Sequence, residues 1–475
     1  MPDASRGPAE HGTQVQNQSP PLRPLPPGIL LAWYGDDFTG AAAVMEAMTF
    51  AGLPAVLFLD LPQPAQLACF PGVRGIGVAG IARSQNAAWA RRELPGFFRA
   101  LAALGAPVTQ YKICSTLDSG PDIGSIGAAI ESARPMFGDG WIPLVPAAPP
   151  INRFQAFGNL FAGAGGAIYR LDRHPTMSRH PTTPMDEADV RRHLARQTVL
   201  PIGLVDLNAM KSGLARQQLR DELAAGHRII ALDVVDDDTL AIAGSLIWEY
   251  GGERLFAVGS QGIEYALLAH WRRFGFLNRQ PPPRSAGPVD RILVASGSVS
   301  PLTAAQIAWG EENGFARIAV DAARSVDEAS WSNEIERVAG DALNAISGGF
   351  DPILSTAAGP DDPRIARTRE AIAAAGIDSS EINARIGRGL GVAVDRILRA
   401  ARIQRVVLAG GDTSSHAARE LDVFALTSVA ATIPGASLCK AHSDDPALVD
   451  LEISLKGGQM GAIDYLQQIK MGGLG

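Results

Sequence analysis

The chain is poor in the features that define several protein classes. It has 475 residues but only three cysteines, Cys69, Cys114 and Cys439, with no CxxC pair among them. That argues against a disulfide framework or a structural zinc site, and fits a reducing cytoplasm. No apolar run approaches the roughly 18 residues of a membrane span. Net charge is −7, so a broadly basic surface for nucleic acid is absent. There is no GxxxxGK[ST] loop, no GxGxxG opening the first strand–helix unit and no HRD or DFG set. If ATP binds here, it does so in none of the common frames.

What remains is the composition of a globular α/β protein, 46% apolar and 19% charged. The length suggests two domains. Residues 1–28, rich in Pro, Gln and Ser, read as a disordered leader. The chain is then organised around Ile29 to Gly52. An apolar strand stops at Gly35, the acids Asp36 and Asp37 follow, and a helix with Thr39 as its expected cap runs to Gly52. Two acids at the C-terminal end of a strand lie where open parallel sheets bind ligands. Capping of a helix dipole is the plainer reading of the same pair.

Strand and helix signals alternate from there, predicting mostly parallel sheets. QPPPRSAG has the composition of a linker and divides the chain into 29–279, a linker at 280–288, and 289–475. Each half is expected to carry a parallel sheet flanked by helices, with an active site in the cleft between them.

In the front half Asp36, Asp37, Arg83, Lys112, Asp118 and Arg153 all fall at or just after strand ends. Arg and Lys suit a small anion, and an Asp suits removal of a hydroxyl proton. In the back half SGSVS (296–300), AGGDTSS (409–415) and KGGQMG (456–461) each follow a strand. Such loops bring backbone N–H groups close to phosphate. Cys114 reads as a buried small residue. His174 and His180, spaced six apart, form a poor chelate. Their loop is expected to be solvated or to cover substrate.

GDDFTGA (35–41), YKICSTLDS (111–119), SGSVSPLTAAQI (296–307), AGGDTSS, and LKGGQMG with Asp464 occur in one order, and in them the chain resembles the four-carbon acid sugar kinases. The resemblance implies an N-terminal domain that binds a small sugar acid and a C-terminal domain that binds ATP; phosphoryl transfer would then need Mg²⁺ to neutralise the phosphate charge. It implies that Asp37 and Asp36 form the acidic, catalytic pair. Arg83, Lys112, Asp118 and Ser119 would bind the sugar acid, with Arg153 beside them. Ser296, Ser298, Gly410, Gly411, Asp412, Thr413, Gly457 and Gly458 would contact ATP. Ala82 and Gly120 depart from the family pattern beside the expected sugar-acid pocket. CSTxDS, RLDRHP and LCKAHSDD resemble the branch that acts on 3-oxo-tetronates and 3-oxo-isoapionate. An NAD-dependent dehydrogenase and a non-catalytic sugar-acid binder are the competing readings. The expected partner is a small molecule, with no nucleic acid and no membrane. The sequence admits a homodimer without specifying one.

Overall fold

The computed structural model describes residues 23–473 apart from 181 and 282, and for 412 and 413 the backbone only. Most of the expected leader, 1–22, lies outside the described residues. Its last stretch, 23–28, packs on the front half. The Trp248 indole donates to the Arg23 carbonyl at 2.8 Å, and the Arg23 guanidinium lies 4.8 Å from the same ring.

Strands β1 (Leu31–Gly35), β2 (Ala55–Phe58), β3 (Gly75–Ala79), β4 (Val108–Lys112) and β5 (Ile142–Val145) begin the chain. The antiparallel trio β6 (Arg153–Ala156), β7 (Asn159–Ala164) and β8 (Ala167–Arg170) follows. The front half ends with β9 (Ile202–Val205), β10 (Ile229–Leu232) and β11 (Leu255–Gly259). The back half holds β12 (Ile292–Ser296), β13 (Phe315–Ala319), β14 (Asp351–Ser355) and β15 (Arg405–Ala409), then β16 (Ala425–Ile433), β17 (Ala436–His442) and β18 (Glu452–Lys456).

The fold is α/β with helices flanking a large, mostly parallel sheet, as expected. The two expected sheets, however, are one. Fifteen strands run in the order β13-β14-β12-β15-β18-β17-β16-β2-β3-β1-β4-β11-β5-β10-β9. The join is antiparallel, with Ala425 opposite Phe58 and Leu426 opposite Leu57. An open edge on β2 and another on β16 would leave unpaired backbone groups, and pairing them satisfies both. Val56, Phe58, Ile76 and Ala425 form a buried cluster over the seam, with Phe70 and Phe424 packed against it.

The helix α1 (Phe38–Phe50) sits at this junction. Its Phe38 N–H donates to Ser415 Oγ at 3.4 Å, and Glu46 Oε1 accepts from the Gly435 N–H at 3.1 Å. The stretch that organises the front half therefore also holds the back half. The core strands are buried on both faces. β1, β3, β4, β11, β12 and β15 are buried throughout, and most of them read as near-continuous apolar runs, β4 (VTQYK) being the polar exception.

Candidate active site

β1, β3 and β4 are parallel neighbours, so their C-terminal ends bring Asp36, Asp37, Arg83 and Lys112 to one edge. Asp37, rather than Thr39, caps α1. Its Oδ1 accepts from the Gly40 N–H at 2.9 Å, while Thr39 Oγ1 is buried without a partner. Position 40 has to be glycine. A Cβ there would fall 2.4 Å from Asp37 Oδ1 and 2.7 Å from Lys112 Nζ. The same spacing shows that the Lys112 ammonium and the Asp37 carboxylate share one small space.

Capping is only part of what the acids do. Arg83 lies between them. Its Nε and Nη2 reach Asp36 at 3.2 and 2.5 Å, and its Nη1 and Nη2 reach Asp37, both at 2.8 Å. Asp36 is 3% exposed, and burial pushes its carboxyl up to about 6 against the pull of Arg83. The two carboxylates hold the Arg83 guanidinium well above its ordinary range despite its burial. Arg83 is thus committed to the acid pair, and its fork does not stand free for a substrate carboxylate.

Arg153 is different. Among the described residues it makes no ion pair. Its Nη1 donates to the carbonyls of Ile151 and Asn152, at 3.2 and 3.1 Å, and its Nε is buried without a partner. Burial draws its guanidinium below the ordinary value.

Ser119 faces inward. Its hydroxyl donates to the Leu117 carbonyl at 2.9 Å and meets His193 Nε2 and Gln197 Nε2, both at 2.9 Å. It braces the loop from below and does not line the cavity. Asp118 does, and it accepts from Thr116 Oγ1 at 2.8 Å. Cys114 is half-buried rather than buried, its Sγ 3.0 Å from Thr116 Oγ1. Burial pushes the thiol up to about 11, out of range for a nucleophile at neutral pH.

One cavity of about 1140 Å³ takes in both halves of the chain. On one side it is lined by Asp37, Arg83, Lys112, Asp118 and Arg153. Across from them it is lined by Pro301, Gly411, Gly457 and Gly458. Ala82 and Gly120 are not among its lining residues, nor are Ser296, Ser298 and Gly410. These last three set the loops behind the wall. Ser296 Oγ accepts from the Ser298 N–H at 3.3 Å, and Ser298 Oγ from the Ser300 N–H at 3.2 Å. Gly410, at φ +113°, turns the chain into the helix Gly411–Arg419. Among the described residues no side chain caps that helix, whereas α1 and the helix Pro301–Glu312 are capped by Asp37 and Ser300. Asp412 and Thr413 lie in its first turn, next to the cavity-lining Gly411.

The small-sheet part of the roof was not read from the sequence, whereas the Pro-rich loop was expected to be solvated or to cover substrate. The Gly163–Ile168 turn of the small sheet covers part of the cavity, joined by His174, Thr176, Met177 and His180 from the Pro-rich loop. Both histidines use Nδ1 as an acceptor. His174 takes the Thr176 and Met177 N–H groups at 3.2 Å, and His180 takes the Thr183 N–H at 3.1 Å. In each ring the proton is therefore on Nε2. Among the described residues no three His, Cys, Asp or Glu side chains cluster as a metal cage. The turn signal was present, as Gly165–Gly166 lies between two β-compatible runs.

The fold and the shared cavity define a two-part α/β protein of a known structural class. A solved protein of Salmonella typhimurium LT2 shares the fold at TM-score 0.72 and 22% identity, covering 93% of this chain and 98% of that one. Another, from Haemophilus influenzae, matches at TM-score 0.64 and 21% identity, covering 92% and 98%.

The family follows from sequence. Residues 31–267 match a sugar-binding N-terminal domain, and residues 293–466 a nucleotide-binding C-terminal domain. The chain is 46% identical over 450 residues to a 3-oxo-isoapionate kinase of Paraburkholderia graminis, covering 94% of this chain and 96% of that protein. It is 29% identical to a 3-oxo-tetronate kinase of Methylobacterium radiotolerans, covering 92% and 97%. The chain belongs to the four-carbon acid sugar kinase family. Among the described residues no helix is long and apolar enough to cross a membrane.

Proposed function

We propose that this protein is an ATP-dependent kinase of a small sugar acid, with 3-oxo-isoapionate or a related 3-oxo-tetronate as acceptor. The observation that carries this reading is the single cavity with carboxylates and cations on one wall and glycine loops on the other. The proposed division is a sugar-acid domain over 29–279, a linker at 280–288 and a nucleotide domain over 289–475. The two family matches support it.

Asp37 is the proposed base. It lines the cavity, whereas Asp36 is turned inward and anchors Arg83. Arg153, free of ion pairs among the described residues, is the proposed grip on the substrate carboxylate, with Lys112 beside the reacting hydroxyl. Asp118 and its Thr116 partner face the same space, and Ser119 positions their loop. The uncapped start of the helix Gly411–Arg419 and the Gly457–Gly458 turn would hold the triphosphate through backbone N–H groups. In the reaction the substrate hydroxyl oxygen forms a bond to the γ-phosphorus as the bond to the ADP oxygen breaks. The hydroxyl proton passes to Asp37. Mg²⁺, which neutralises phosphate charge when bound, would arrive with ATP, and Asp118 is the carboxylate within the cavity suited to it. A cytoplasmic location fits this chemistry and the three free cysteines.

NAD-dependent dehydrogenation is not favoured, because Asp36 and Asp37 stand where a dinucleotide fold needs uncharged glycines for pyrophosphate. An ADP-release assay across tetronates, 3-oxo-tetronates and 3-oxo-isoapionate tests the proposal. Turnover should be confined to one or two 3-oxo acids. ATP and not NAD should raise the melting temperature. Acid binding without ADP release would refute the kinase reading.

A further inference from the structure

Lys456 ends β18 and is 1% exposed. Among the described residues no carboxylate pairs with it, unlike Lys470, which meets Asp351 at 2.6 Å, or Lys211, which meets Asp236 at 2.5 Å. Its Nζ donates to the Gly457 carbonyl at 3.0 Å and to Thr303 Oγ1 at 3.4 Å. The Tyr465 ring lies 5.9 Å away. Its own carbonyl accepts from the Gly410 N–H at 2.9 Å. Thr303 Oγ1 in turn donates to the Gly458 carbonyl at 2.8 Å, and Ser300 Oγ donates to the same oxygen. One residue therefore touches both glycine loops and the helix that follows the serine loop.

A buried ammonium without a counter-charge is costly, and a fold retains one where an anion completes it. Around Lys456 that anion is not a side chain. Burial alone pulls its pKa down to about 8, with no acid raising it. The groups facing Nζ are Thr303, the Gly457 carbonyl and Tyr465. Burial pushes the Tyr465 phenol up to about 12, so it is neutral as well. Gly457 and Gly458, which Lys456 supports, line the cavity.

We propose that Lys456 is a positioning residue for the nucleotide: its fixed positive charge lies beneath the Gly457–Gly458 turn and attracts the triphosphate through it, while its hydrogen bonds lock both glycine loops and that helix in register. This rests on the ATP reading above. The test measures ATP, adenosine and sugar-acid binding by calorimetry in the wild type and in Lys456→Gln and Lys456→Met. Gln keeps a donor toward Gly457 and Thr303 but removes the charge. Both variants should lose ATP affinity by about tenfold or more, with adenosine and sugar-acid binding unchanged. ATP affinity in Lys456→Gln equal to the wild type would overturn the proposal. If neither variant folds, the wild type decides. Its ATP affinity should fall as pH rises past about 8 while sugar-acid affinity holds, and a flat ATP profile would overturn the idea. A wild type that binds no ATP at any pH would instead sink the nucleotide reading itself.

Discussion

Replacing Glu46 with Gln should make the protein more stable, and by an amount that depends on pH. Glu46 lies on α1 where the halves meet, 8% exposed. Its Oε1 accepts one hydrogen bond, from Gly435, and its Oε2 has no partner among the described residues. Burial pushes its carboxyl from an ordinary 4.5 to about 8, opposed only by the Gly435 hydrogen bond. Between these two pH values the folded protein keeps a proton that the unfolded chain has released. Wild-type stability therefore falls with rising pH across that window and levels off above it. Each pH unit costs about 1.4 kcal/mol, so the total is about 4 to 5 kcal/mol. Gln has the same shape, accepts the same Gly435 N–H and does not titrate. Urea midpoints for wild type and Glu46→Gln from pH 4.5 to 9 would read the difference. The gap should be small at pH 4.5, widen steadily, and stop growing above about pH 8. Glu264 is buried in the same way but is present in both proteins, so it cancels. A gap that stays constant with pH would refute the reasoning.

Asp37→Asn should lower kcat by about a hundredfold or more while the protein still binds ATP, as measured by ADP release and calorimetry. Near-normal turnover would remove Asp37 as the base. Arg153→Met should raise KM for the sugar acid by about tenfold or more and leave KM for ATP unchanged, because only the substrate carboxylate loses its partner. Gly77→Ala would set a Cβ 2.0 Å from the fully buried Trp33 ring. It should cost about 3 kcal/mol or prevent folding, as read by urea denaturation.

The parts legible in the sequence share one trait: their signals are local. β1, the acid pair and α1 form one continuous stretch, and each glycine loop directly follows an apolar strand. The seam between the halves was not legible. It pairs β2 with β16, which lie far apart in sequence, and β16 and β17 mix apolar with Thr, Ser and Lys residues and form no strong apolar run. The small sheet was missed because β8 is exposed along its length, so no core face marked it. Site residues divide in the same way. Asp37 and Lys112 reach the cavity from the ends of β1 and β4, and Arg153 from the start of β6. Which way Ser119 turns depends on His193 and Gln197, two positions that only the folded loop brings near. That Arg83 binds both acids instead of standing free follows from packing that no local pattern encodes.

The central claim is that one cavity holds the acceptor against Asp37 and the triphosphate against the glycine loops. A crystal structure with a non-hydrolysable ATP analogue and the 3-oxo acid tests it directly. The account predicts phosphate oxygens on the backbone N–H groups at Gly411 and the Gly457–Gly458 turn, with the acceptor hydroxyl on Asp37 and its carboxylate on Arg153. Phosphates seated on the Arg83 side, or either ligand bound outside this cavity, would contradict it.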